Sequence, residues 1–109
     1  MSAISTHVLD AVLGKPAAGI PVRLEKQQRF LWKAIASDTT DADGRCSDLA
    51  PSAKKGVYRL TFEIRTYLAR QGRDGIYPEI AITFTCSGTE KYHLPVLLSD
   101  NSYTTYRGS

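Results

Sequence analysis

Two cysteines, two histidines, one tryptophan and one methionine are all that this chain of 109 residues holds of those types, and each scarcity closes off a chemistry. Cys46 and Cys86 match no CxxC redox pair and are too few for a zinc cluster or a secreted disulfide framework, so both are expected as free thiols. His7 and His93 with scattered carboxylates form no HExxH or HxH pattern, and no glycine-rich phosphate loop or nucleophile elbow is present. No stretch approaches the ~18 apolar residues of a membrane helix. Met1 to Ala11 lacks the basic opening and long apolar segment of a leader, so a cytoplasmic protein without a membrane partner is expected. Charge of one sign is also missing: 14 basic residues face 11 acidic ones, a net +3, without a Lys/Arg run to track a phosphate backbone. Nucleic acid is thereby set aside, and the balance mildly favours a small anionic ligand.

What is present has the composition of an ordinary folded domain, 42% apolar and 23% charged, and its length fits one domain over residues 1–109. β-Branched and aromatic residues recur at period two in short segments separated by Gly, Pro, Asp and Ser clusters, the pattern of an all-β sandwich. The spacing predicts strands over Thr6 to Val12, Ile20 to Lys26, Phe30 to Thr39 and Arg45 to Leu49. Further strands are predicted over Val57 to Ile64, Glu79 to Cys86, Lys91 to Leu98 and Tyr103 to Tyr106. In Val57 to Ile64, Tyr58, Leu60, Phe62 and Ile64 fall on one face and Arg59, Thr61 and Glu63 on the other, so one face is core. Thr66 to Gln71 is the only helical candidate, closed by Gly72 and too short to stand alone. Ser87-Gly88 is expected to turn a hairpin between the two strands that flank it.

Both histidines lie inside otherwise apolar strands. Leu94, Val96 and Leu98 share a face, which puts His93 with Pro95 and Leu97 on the opposite, outer one. An imidazole there could be an ordinary surface side chain, or it could line a cleft or subunit interface and exchange protons near neutral pH. Arg45, just after the Asp43-Gly44 turn, is either a solvated surface arginine or a planar donor for a carbonyl-rich anion. Tyr106, Arg107, Gly108 and Ser109 follow the last strand directly, and are either exposed or placed at a site.

Four motifs in order carry a resemblance. Ser5-Thr6-His7-Val8-Leu9-Asp10 with Gly14-Lys15-Pro16-Ala17 is similar to the opening signature of the 5-hydroxyisourate hydrolases. Asp41-Ala42-Asp43-Gly44-Arg45 resembles that family's DGR turn, and Tyr77-Pro78-Glu79-Ile80 its aromatic-Pro-Glu segment. Tyr92-His93-Leu94-Pro95-Val96-Leu97-Leu98-Ser99 and the closing Tyr106-Arg107-Gly108-Ser109 resemble its YHxPLLLS and YRGS motifs. The likeness runs essentially end to end. One departure is visible: Lys91 stands where many members carry a further histidine. Transthyretin, a carrier of the same fold, is similar in strand pattern but lacks the YRGS ending and the histidine pair.

The resemblance implies a transthyretin-like sandwich of two four-stranded sheets with one short helix. It implies a homotetramer, a dimer of dimers built through edge strands, whose central channel holds the active sites. His7, Arg45 and His93 would be catalytic there, and Tyr106, Arg107, Gly108 and Ser109 would bind the substrate, 5-hydroxyisourate. Neither a metal nor an organic cofactor is implied. Two other readings stay open, a transthyretin-like carrier of aromatic small molecules and an adhesion or carbohydrate-binding sandwich.

Overall fold

The computed structural model describes residues 1–109. Its elements in chain order are β1 (Ser2–Asp10), β2 (Lys15–Pro16), β3 (Pro21–Gln28), β4 (Leu31–Thr39), β5 (Arg45–Ala53), β6 (Gly56–Glu63), α1 (Arg65–Ala69), β7 (Glu79–Cys86), β8 (Tyr92–Leu98) and β9 (Tyr103–Thr105). One sheet runs β4-β3-β6-β7, and all of its pairings are antiparallel. The other runs β2-β1-β8-β9, with β5 also paired to β1. Two four-stranded sheets are therefore the frame, and the two-residue β2 is an addition on the edge of β1. No helix is long and apolar enough to cross a membrane.

Alternation decides which residues meet between the sheets. Leu60 and Phe62 on β6, with Val22 and Leu24 on β3, are almost wholly shielded and join Val8, Val96 and Leu98 from the facing sheet in one apolar cluster. Burying each such side chain contributes about 1.5–3 kcal/mol, so this pleated interior is the main term holding the layers together. Tyr58, Leu60, Phe62 and Ile64 all point inward as their spacing predicts. Ile80 and Cys86 on β7 are buried likewise, with Ile82 and Phe84 partly so.

Three expectations need correction. β1 begins at Ser2, four residues earlier than the sequence pattern indicates, because its inward positions alternate Ser2, Ile4, Thr6, Val8 and Asp10. Polar residues at three of these five positions hide the period. β5 continues past Leu49 through Pro51 to Ala53. A proline is tolerated there because β5 is an edge strand whose pairing with β1 shifts register twice. The Ser87-Gly88 turn is not a hairpin: β7 pairs with β6, whereas β8 lies parallel to β1 in the other sheet. Turn residues bend the chain as readily at a corner between layers as at a hairpin, and Tyr92 fixes this corner by accepting the Ser87 N–H at 2.8 Å.

Two features position the outer face of the β1 sheet. Gly44 has φ 76°, and its carbonyl accepts the Val8 N–H at 2.7 Å. A side chain at Gly44 would press into the Val8 carbonyl, so glycine is needed for both the turn and the close approach that seats Arg45 opposite His7. The second feature is a buried polar knot. The Asp10 carboxylate accepts the Tyr67 hydroxyl at 2.8 Å, the Arg73 guanidinium at 2.6 Å, and the backbone N–H groups of Val12 and Leu13. Arg73 also reaches Asp100 at 2.7 Å. This knot ties β1, the segment after α1 and the β8–β9 turn to one another.

Candidate active site

Side chains of alternate residues on a strand share a face. On β1 that rule puts Ser5 and His7 together on the outer side, away from the core. The antiparallel partner of His7 on β5 is Arg45, and the parallel partners of Ser5 and His7 on β8 are His93 and Pro95. Three strands that are far apart in sequence thus deliver two imidazoles, a guanidinium and a hydroxyl to one patch. His7 and His93 are half-buried, while Arg45 is exposed.

The His93 ring is held on both sides. Its Nδ1 lies 2.8 Å from Ser5 Oγ. Its backbone carbonyl accepts the Gly108 N–H at 2.7 Å, which brings the segment after β9 back alongside β8. A Cβ on Gly108 would lie 2.9 Å from His93 Cδ2 and 3.3 Å from Pro95 Cγ, so only a glycine lets this strand end close over the ring. Burial lowers the His93 pKa below its usual value, and the positive charge of Arg45 and the neighbouring His7 add to that lowering. His93 is accordingly neutral at pH 7, with one ring nitrogen a donor and the other an acceptor.

Beside these residues lies a cleft of about 500 Å³. Its walls include Ala3, Ser5, Ser47, Asp48, Lys91, His93, Arg107, Gly108 and Ser109. A smaller recess of about 190 Å³ adjoins it through Ser5, Ser47, Lys91, His93 and Ser109 and reaches Arg45. Arg45 and Lys91 line the recess and Asp48 the adjoining cleft, whose further cation, Arg107, pairs with Glu90 at 3.3 Å. The two cations of the recess, where no acidic side chain stands beside them, draw a small anion inward.

The sequence-predicted residues divide. His93, Gly108, Ser109 and Arg45 line the cleft or its recess, and His7 stands next to Arg45 on the same face. Arg107 forms a wall instead of pointing inward: its guanidinium stacks 4.4 Å over the Tyr92 ring and donates to the Lys91 carbonyl at 2.9 Å. Tyr106 is 52% exposed and lines neither cavity within this one chain. Sequence reasoning assigned no part to Ser5, Ser47 or Asp48, and Ser5 precedes the strand that the sequence pattern predicts from Thr6. Lys91 takes a place in the wall at the position noted above as a departure from the motif. Both cysteines lie elsewhere, buried as free thiols. Burial first, then the charges of Asp38 and Asp41, push Cys46 up to about 11, so its thiol is inert at neutral pH.

Known proteins resemble this chain over nearly its whole length. A 5-hydroxyisourate hydrolase of Mus musculus is 42% identical over 113 residues, covering 99% of this chain and 96% of the mouse protein. The structure of Klebsiella pneumoniae 5-hydroxyisourate hydrolase superposes with a TM-score of 0.89 at 37% identity, covering 100% of both chains. Sea bream transthyretin in complex with thyroxine superposes with a TM-score of 0.93 at 31% identity, covering 97% of this chain and 94% of that one. The model of the HIUase/Transthyretin family matches residues 4–108. With a family match over that length and relatives that align nearly end to end, the chain belongs to the HIUase/transthyretin family.

Proposed function

We propose that this protein is a 5-hydroxyisourate hydrolase of urate breakdown, acting in the cytoplasm as a homotetramer. The observation that carries the reading is the convergence of His7, Arg45 and His93 on one outer face beside a cationic cleft. The relatives' names supply the substrate, a flat anion that suits such a cleft. In the tetramer the outer faces of this sheet would meet, and Leu97 and Tyr106, apolar yet 37% and 52% exposed, would be covered.

In the proposed reaction water attacks the C6 carbonyl of 5-hydroxyisourate. A C6–O bond forms and the N1–C6 bond breaks, giving 2-oxo-4-hydroxy-4-carboxy-5-ureidoimidazoline. His7 takes the proton that water gives up, His93 delivers its own to the departing N1, and the proton held by His7 passes back to His93 through solvent, so that both rings end neutral. Arg45 binds the anion and stabilises the charge growing on the carbonyl oxygen, a role worth about 3–4 kcal/mol for a well-placed donor. Gly108 and Ser109 close the cleft beside His93, while Arg107, and Tyr106 from a neighbouring subunit, shape its rim.

The direct test is to generate 5-hydroxyisourate with urate oxidase and follow its ultraviolet decay with and without the protein. Accelerated decay is expected, and a decay equal to the uncatalysed rate would reject the reading. The likeness to thyroxine-bound transthyretin favours a second reading, a carrier of aromatic small molecules. Titration with thyroid-hormone-like ligands separates the two, because a carrier binds them and leaves the decay unchanged.

Removing Gly108 and Ser109 is expected to lower kcat/KM while leaving the thermal midpoint within a few degrees of wild type. A terminal pair contributes little burial, but these two wall the cleft. Steady-state kinetics on the shortened chain, with a melting curve alongside, check this.

A further inference from the structure

His93 can act through only one of its ring nitrogens at a time, and three observations decide which. The Nδ1 edge is occupied by Ser5 Oγ at 2.8 Å, an approach set by the parallel register that places Ser5 opposite His93. The opposite edge, at Cδ2, lies against Gly108, where even a methyl group would come within 2.9 Å. Turning the ring over would exchange the two edges, leaving Ser5 against a carbon and Nδ1 against the Gly108 backbone. The ring is thus clamped with Nε2 at its free end.

The hydroxyl also chooses the tautomer. A serine hydroxyl carries one proton, and His93 Nδ1 is the only partner of Ser5 Oγ within the chain. Donation to Nδ1 gives that proton an acceptor, and the hydrogen of the neutral imidazole must then sit on Nε2. Were the hydrogen on Nδ1 instead, the half-buried hydroxyl would accept it and its own proton would have no partner in the protein.

We infer that Ser5 is a positioning residue for the reaction: by donating to Nδ1 it holds His93 as the Nε2–H tautomer and aims that N–H into the cleft as the proton donor. Gly108 shares the task by packing close against the Cδ2 edge of the ring. The inference rests on the hydrolase reading for its kinetic consequence, but the tautomer itself does not depend on any substrate. It assigns proton donation to His93 and leaves His7 as the group that accepts a proton from water.

The test uses the full chain labelled with nitrogen-15 at histidine, with the two imidazoles assigned by a His7→Gln variant. Nuclear magnetic resonance of the wild type at neutral pH is expected to show the His93 hydrogen on Nε2. In Ser5→Ala the signals should move toward a mixture of tautomers, and kcat on 5-hydroxyisourate should fall about 5- to 10-fold with KM little changed, because a reacting group in the wrong form loses turnover before it loses binding. Ser5→Thr, which keeps the hydroxyl, should restore both readouts. A wild-type hydrogen on Nδ1, a tautomer balance that ignores Ser5→Ala, or full turnover despite a shifted balance would each overturn the inference. Absence of any hydroxyisourate turnover in the wild type would instead defeat the functional reading, and the nitrogen signals would still decide the role of Ser5.

Discussion

His93→Ala and His7→Ala are each expected to lower turnover of 5-hydroxyisourate by at least ~10²-fold, the usual scale for loss of a positioned general acid or base. That factor corresponds to about 2.7 kcal/mol of transition-state stabilisation. Neither change should disturb the fold, because both side chains leave β1 and β8 on the face opposite the core. Melting curves and light scattering should therefore match wild type while single-turnover rates collapse. Near-native turnover in both variants would remove the histidines from the mechanism. The wild-type pH profile adds a sign. Burial, Arg45 and His7 hold the His93 pKa below its usual 6.5, so the His93 ring stays neutral as pH falls through 6.5. Histidine nitrogen-15 shifts followed against pH check this, and a His93 midpoint at or above 6.5 would contradict it.

The largest expected loss of stability lies away from the cleft. Arg73→Met should cost about 3–5 kcal/mol, since it strips a buried carboxylate of its countercharge and leaves the carboxylate in place. The Asp10 side chain is 0% exposed and that of Arg73 only 11%, so solvent cannot take over the pairing. Urea unfolding at pH 7 checks the size, and a loss under about 1 kcal/mol would show that the pair contributes little. The pH dependence follows from the direction of the Asp10 shift. Burial by itself raises that pKa, but the hydrogen bonds from Arg73, Tyr67 and the Leu13 backbone, with the charge of Arg73, bring it below 3.8. A depressed carboxylate contributes stability that is present above its unfolded pKa and disappears as pH falls through the folded one. Wild type should accordingly lose stability below about pH 4. The gap between it and Arg73→Met should narrow in acid, where a protonated Asp10 no longer needs the guanidinium.

The two sets of residues differ in how far sequence reveals them. His93 could be placed on the outer face from the phase of Leu94, Val96 and Leu98 alone, and all three are buried while His93 is half-exposed. Gly44 and Arg45 could be read as a tight turn delivering an arginine to the start of a strand, and they are one. Ser5 gave no such signal, because a serine in a strand looks like any solvent-facing residue until its partner is known. Asp10 is among the most shielded side chains, and no local pattern could pair it with Arg73, 63 residues away.

Local periodicity therefore determined the class of fold, the position of most strands, and the facing of their clearest apolar residues, since the pleat is a property of consecutive residues and needs no knowledge of the rest of the chain. It could not determine which strands adjoin, because backbone pairing is nearly indifferent to side-chain identity and register is selected by burying the whole interior at once. Tertiary structure alone decided that β8 runs parallel to β1 while β7 pairs in the other layer. That choice turned two histidines, an arginine and a serine on three separate strands into neighbours.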